Sequence, residues 1–249
     1  MKHGSGTDNH LAGAAGPRVH VLSVFSMGFL ALFLAGVLAL VVADVGYTDL
    51  KTIAGLFRSR EVLAAMRLTA ITSLLTLVFV VLFALPVGYA LSRYRFPGHA
   101  LADTVVDLPI VLPPVVIGVS LLVFFTTTPG KWFESLGFRT HSVAAIVLCQ
   151  FFVSVSYAIR SAKAAFDSVD QRLENAALTL GCTRAQAFRM VTLPIARDGL
   201  IAGAIMAWAR AVGVFAPLMV FVGSIRMKTE VMPTTVYLGA CRDIRICRL

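Results

Sequence analysis

The chain has 249 residues, of which 58% are apolar and 14% charged, with a mean hydropathy of +0.84. Those proportions fall outside the soluble globular class and read as a polytopic membrane protein. A net charge of +9 raises nucleic acid as a partner, but the basic residues are spread between apolar runs, without interleaved aromatics on one face, so nucleic acid is set aside.

In chain order, residues 1–20 are polar and Gly-rich and read as a disordered cytoplasmic tail. Residues 21–43 form the first apolar run able to cross about 30 Å of hydrocarbon, which takes about 20 residues. The run is too long for a signal-peptide core and others follow it, so it is expected to be a retained span. Residues 68–91 form the second. Residues 108–125 are interrupted by Pro109, Pro113 and Pro114. Proline removes a backbone donor, which membranes tolerate where neighbouring protein repairs the loss, so this run is expected inside the bundle. The alternative, prolines at a helix entrance, suits Pro109 better than Pro113 and Pro114. Residues 143–159, the shortest run, and 200–222 complete an all-α polytopic chain of about five spans. With the amino terminus inside, the segments around Arg93 and between Arg160 and Asp198 also lie inside, and Lys plus Arg are slightly in excess there.

Residues 168–194 are the most informative stretch, a polar amphipathic segment between apolar runs. Leu173, Ala176, Ala177 and Leu180 recur at i, i+3, i+4 and i+7, which gives a short helix one apolar face, with Gln171, Arg172, Glu174 and Asn175 pointing elsewhere. Gly181 stops that helix. Ser168 with Gln171, and Thr183 with Gln186, match the capping-box pattern that satisfies two amide donors at a helix start. The segment therefore reads as helix, glycine turn, helix.

Ala176-Ala177, three residues, Gly181, nine residues, Val191, one residue and Leu193-Pro194 resemble the EAA loop of ABC-importer permease subunits. Asn175 stands at that family's usual Glu position and Val191 at its Ile, while Glu174 sits about 100° round the helix from the expected acid. The resemblance implies that Glu174, Asn175, Ala176, Ala177, Gly181, Val191, Leu193 and Pro194 belong to a loop that couples to a cytoplasmic ATPase. It also implies an importer of two permease copies (a homodimer), two ABC ATPase subunits and an extracytoplasmic binding protein. The loop must face the compartment that holds ATP, which orients the chain in the lipid bilayer of the cytoplasmic (inner) membrane.

Chemistry of the chain's own is not indicated. No segment reads Gly-x-x-x-x-Gly-Lys-Ser/Thr, and the five histidines form neither a His-Glu-x-x-His nor a hydrolase arrangement. Cys149, Cys182, Cys241 and Cys247 lack Cys-x-x-Cys spacing and read as inert thiols. No catalytic residue, metal or cofactor is expected, and energy must come from a partner.

Arg210 lies near the middle of the run 200–222, where a cation costs about 2.5 to 3.5 kcal/mol on insertion scales, so it should face protein or water. Either it gives positive potential to an anion pathway, with Gly213 beside it, or it is tied to carbonyls or a carboxylate at a subunit interface. Ala209-Arg210-Ala211-Val212-Gly213-Val214-Phe215-Ala216 resembles the Ala-Arg-Ala-x-Gly-Glu-Phe-Gly stretch of molybdate and sulfate permeases, with Val214 in place of Glu and Ala216 in place of Gly. Asp107 to Gly118, Arg93 to Gly98 and Lys228 to Thr234 are similar to further segments of the molybdate, tungstate and sulfate members.

The resemblance spans residues 63–238 and implies a type I ABC-importer transmembrane domain. The function it implies is passage of molybdate, or tungstate, driven by a separate ATPase. The alternatives are a sulfate or thiosulfate permease, an ATP-independent secondary transporter, and a truncated, non-transporting remnant. The last arises because residues 239–249 are polar, with Arg242, Asp243, Arg245 and Arg248, where family members continue into a final span.

Overall fold

A computed structural model describes residues 17–47, 60–135, 140–225 and 228–243. Of the expected tail at 1–20, residues 1–16 lie outside the described residues and 17–20 instead open the first helix; residues 244–249, with Arg245, Cys247 and Arg248, also lie outside them. Two compact units are present, Met1–Arg58 and Ser59–Leu249. The first contains α1 (Pro17–Tyr47), whose residues 25–43 are exposed all round and strongly apolar. A helix apolar on every side is what a hydrocarbon solvent selects.

The regular elements among the described residues of the second unit are all helical: α2 (Arg60–Arg93), α3 (His99–Val111), α4 (Pro114–Thr126), α5 (Thr128–Ser135), α6 (Val143–Asp167), α7 (Gln171–Thr179), α8 (Arg184–Ala187), a π-turn (Phe188–Thr192), α9 (Leu193–Val212), α10 (Ala216–Phe221) and α11 (Met232–Asp243). Across both units, four helices among the described residues are long and apolar enough to cross a membrane, or five spans if the bent α3–α4 pair counts as one.

α6 is the central post, packed along both α2 and α9, which also touch each other. Its helix runs past the apolar stretch that ends at Ile159 to Asp167. The continuation carries Arg160 and Lys163, and both are neutralised: Arg160 pairs with Asp107 and with Asp103 (3.0 Å), and Lys163 with Asp103 (3.1 Å). The same pairs hold α3 against α6. α2 likewise begins before its apolar run, at Arg60, with Glu61 in the first turn to complement the helix dipole.

Close packing among these helices comes from small residues, as expected where lipid offers no hydrophobic drive for association. α9 buries Ala196, Gly203, Ala207 and Ala211. A Cβ on Gly203 would stand 2.4 Å from Ser161 Oγ, and the Ser161 hydroxyl donates to the Gly199 carbonyl at 3.2 Å. Between α2 and α6, the buried Thr76 hydroxyl donates to Gln150 Oε1 at 3.0 Å. Trp208 Nε1 of α9 donates to Ser73 Oγ at 3.2 Å.

The proline-rich run differs from its expectation. α3 buries no residue, α4 buries only Ile117, Gly118, Leu121 and Phe125, and the two helices bend by 109° at Leu112 and Pro113. Pro113 caps α4 and Pro114 opens it, whereas Pro109 lies inside α3. The helix-entrance role thus belongs to Pro113 and Pro114, because a ring with a fixed φ and no N–H suits the first positions of a helix.

Candidate coupling hairpin and pathway cation

The α7–α8 hairpin is built by local rules. Asp170, rather than Ser168, caps α7: its carboxylate accepts from the Arg172 amide at 2.9 Å, while the Ser168 hydroxyl turns back to the Ala165 carbonyl and closes α6. At the far end Gly181 N–H donates to the Leu178 carbonyl (3.0 Å) and Cys182 N–H to the Ala177 carbonyl (3.1 Å). This Schellman pattern needs a left-handed residue, and Gly181 supplies it at φ 90°. The fixed interval from Ala177 to Gly181 is therefore a stereochemical requirement of the turn. Thr183 and Gln186 form the expected reciprocal capping box at the start of α8. The helix then widens by one residue into the π-turn before Pro194, whose missing N–H and bulky ring disfavour ordinary α-helical register there.

Burial divides the motif residues into two sets. Leu173 (47% exposed) and Leu180 (85%) face outward with Ala176 and Asn175, while Ala177 is buried. Gly181 and Pro194 are exposed, and Val191 and Leu193 are half-buried. The single apolar face expected from the spacing is thus mostly an outer surface, and the inner face of α7 carries an acid. Glu174 is 8% exposed. It accepts from Arg93 Nε (2.9 Å) and Nη2 (2.8 Å), from the Thr192 hydroxyl (2.8 Å) and from Tyr89 Oη (3.2 Å). Arg93 Nη2 also reaches the Val169 carbonyl at 2.9 Å. The Arg93 guanidinium pairs with the Glu174 carboxylate inside this buried cluster. Beside this cluster lies a polar cavity of about 150 Å³ bordered by Tyr94, Asn175 and Arg184.

Arg210 is not in mid-helix. α9 ends at Val212, Gly213 to Phe215 are non-helical, and α10 starts anew, so Arg210 occupies the last turn of α9. A cation there complements the exposed carbonyl end of the helix. Ten residues from Leu200, about 15 Å of helix rise, it still lies at mid-depth if that run enters the bilayer at Leu200. Its guanidinium carbon sits 5.4 Å from the centroid of the Tyr157 ring, and no ion pair to Arg210 forms among the described residues. Arg210 and Gly213 border a cavity of about 300 Å³ with Pro114, Val153, Phe215 and Pro217. Val214, at the family's Glu position, is buried at 4%. Cation–π contact with Tyr157, not a carboxylate, answers the charge of Arg210 here.

Tyr89, Arg93, Thr192 and Tyr157 were not singled out by sequence. Arg93 and Tyr89 sit at the end of an apolar run, where a snorkelling cation and an interfacial aromatic are ordinary. The only signal for Tyr157 was that it interrupts an apolar run two residues before its end.

Residues 81–233 match the family described as "Binding-protein-dependent transport system inner membrane component". The molybdate/tungstate transport system permease protein WtpB of Thermococcus kodakarensis is 36% identical over 165 residues, 66% of this chain and 63% of that protein. The molybdenum transport system permease protein ModB of Escherichia coli K12 is 36% identical over 187 residues, 72% of this chain and 78% of that protein. The sulfate transport system permease protein CysT of the same organism is 32% identical over 180 residues, 71% and 65% of the two chains. The match thus spans about three fifths of the length of WtpB. Among solved structures, a bacterial ABC transporter involved in the import of the acidic polysaccharide alginate superposes with a TM-score of 0.60 at 17% identity, covering 90% of this chain and 83% of that one. The match over residues 81–233 includes the hairpin, the π-turn and the Arg210 break. This chain belongs to the family of inner-membrane components of binding-protein-dependent transport systems.

Proposed function

We propose that this chain is the membrane-conducting subunit of an ATP-driven importer of molybdate and tungstate in the cytoplasmic membrane. The observation that carries the reading is the outward apolar ridge of Leu173, Ala176 and Leu180 on a hairpin otherwise tied into the bundle. An exposed apolar face on a short polar helix suits a groove on another protein. That partner is a cytoplasmic ABC ATPase, whose closure would swing α2, α6 and α9 between inward-open and outward-open arrangements. A second copy of this chain, as a homodimer, and an extracytoplasmic oxyanion-binding protein complete the assembly. Glu174, Asn175, Ala176, Ala177, Gly181, Val191, Leu193 and Pro194 form the coupling loop, and Arg210 and Gly213 border the pathway. The chain itself performs no catalysis.

The support for molybdate and tungstate is the naming of the WtpB and ModB relatives. Sulfate is the second reading, favoured by the similarity to CysT, because an unpaired guanidinium suits any tetrahedral dianion. Proteoliposomes holding this chain with its ATPase and binding protein are expected to accumulate molybdate only with ATP, and excess tungstate should compete while sulfate should not. Sulfate uptake at an equal rate would move the assignment to sulfate, and uptake without ATP would make the chain a secondary transporter.

Arg210→Ala is expected to slow that uptake by roughly tenfold, about 1.4 kcal/mol of barrier, with assembly intact. Arg210→Lys should retain part of the rate, since charge survives but the guanidinium contact with the Tyr157 ring does not. An unchanged rate in Arg210→Ala would remove Arg210 from the pathway.

A further inference from the structure

A push on the α7–α8 hairpin can move the spans only through the links that join them, and one buried group gathers most of these links. Glu174 takes donors from two elements at once, Arg93 and Tyr89 at the end of α2 and Thr192 at the π-turn that leads into α9. Arg93 adds the Val169 carbonyl, at the junction of α6 and α7. The side chains of Arg93 and Glu174 are 8% and 10% exposed and Thr192 is fully buried. Tyr89 is in turn fixed edge-on against Phe188 (4.7 Å between ring centroids) and Phe166 (5.6 Å). The ends of three long helices and the hairpin therefore meet at one carboxylate.

A surface helix that only needed anchoring could use apolar contacts at lower desolvation cost, because a buried ion pair adds little net stability over a hydrophobic substitute. What it adds is direction: charge-assisted hydrogen bonds hold their partners at fixed distance and angle. Thr192 closes a π-turn, where the helical register departs from the α pattern, and such turns are frequent at functional sites.

We infer that Glu174 is a positioning residue that acts as an inward strut, locking the coupling hairpin to α2, to the end of α6 and to the π-turn so that displacement of the hairpin moves these elements as one. It makes no contact with the ATPase. This rests on the coupling role proposed above for the hairpin. The docking ridge of Leu173, Ala176 and Leu180 lies on the other side of α7, so capture of the ATPase and transmission of its stroke are separable.

The test uses the full chain co-reconstituted with its ATPase and binding protein, and reads three quantities: ATPase captured, ATP hydrolysed, and anion accumulated per ATP. Glu174→Gln is expected to capture the ATPase and to hydrolyse ATP as the unaltered chain does, while anion accumulated per ATP falls roughly tenfold, as for loss of a hydrogen bond to a charged group. Thr192→Val and Tyr89→Phe each remove one donor while the Arg93 pair remains, and both should lower the same ratio by less. If Glu174→Gln fails to assemble, those two variants decide the matter, and an unchanged ratio in both overturns the strut. Loss of capture in step with uptake in Glu174→Gln, with the other two normal, would instead make Glu174 a direct ATPase contact and also overturn it. An unaltered chain that captures no ATPase would overturn the coupling reading itself, which the first readout distinguishes.

Discussion

Leu180→Asp is expected to abolish productive binding of the ATPase while leaving the membrane bundle folded. The Leu180 side chain is 85% exposed at the turn of the hairpin. Burying a leucine in a partner's groove is worth about 1.5 to 3 kcal/mol relative to leaving it exposed, or roughly 10- to 150-fold in affinity. An aspartate at the same place forfeits that gain and brings a carboxylate that must be desolvated to dock. Affinity of the purified ATPase for the chain in lipid nanodiscs should fall by roughly a hundredfold. Leu173→Asp should act in the same direction but less, since part of Leu173 is already covered. Normal affinity in Leu180→Asp would mean that the ridge is not the docking surface.

The second large effect concerns the bundle. Gly203→Leu should prevent α9 from seating on α6, because a Cβ at that position already falls 2.4 Å from Ser161 Oγ and 2.5 Å from its Cβ. Overpacking of a closed contact costs about 1 to 3 kcal/mol and sometimes more, and each kcal/mol lowers the midpoint by roughly 2–4 °C in a chain of this size. A lowered thermal midpoint of the detergent-solubilised chain, or aggregation on extraction, is the expected outcome. Because Ser161 is also hydrogen-bonded to the Gly199 carbonyl, Ser161→Ala should partly relieve the Gly203→Ala variant, in which only one methyl group has to be fitted. An unshifted midpoint for Gly203→Leu would show that α6 and α9 are free to part, contrary to their packing.

What could be read in the sequence follows from the range of the interactions. The Gly181 turn, the Thr183–Gln186 box and the apolar cores of the long helices depend on neighbours within a few residues, and all were legible. Helix ends were not: α6 outruns its apolar stretch because Arg160 and Lys163 find Asp103 and Asp107, more than fifty positions earlier. Ser168 loses its expected cap to Asp170 because the Ser168 hydroxyl is taken by the preceding helix. The break at Gly213 to Phe215 lies inside one apolar run, where hydropathy has no way to register it, and it puts Arg210 in the last turn of a helix rather than in mid-helix.

The hairpin shows the same division within nine residues. Periodicity alone assigned Leu173, Ala176, Ala177 and Leu180 to one side and Glu174 to another; Leu173, Ala176 and Leu180 do share the outer side, while Ala177 is buried with Glu174. Which side meets the bundle depends on Arg93 and Thr192, and neither is near Glu174 in the chain. Glu174 therefore turned inward beside Ala177, while Gln171, Arg172 and Asn175 stayed at the surface.

The most direct test of the whole account is a photo-activated crosslinking residue at position 180, used in intact cells. The account predicts an adduct between this chain and a nucleotide-hydrolysing subunit, whose yield changes when the importer is trapped with ATP bound. Labelling that reaches only lipid or water, with no such subunit captured in either state, would contradict it.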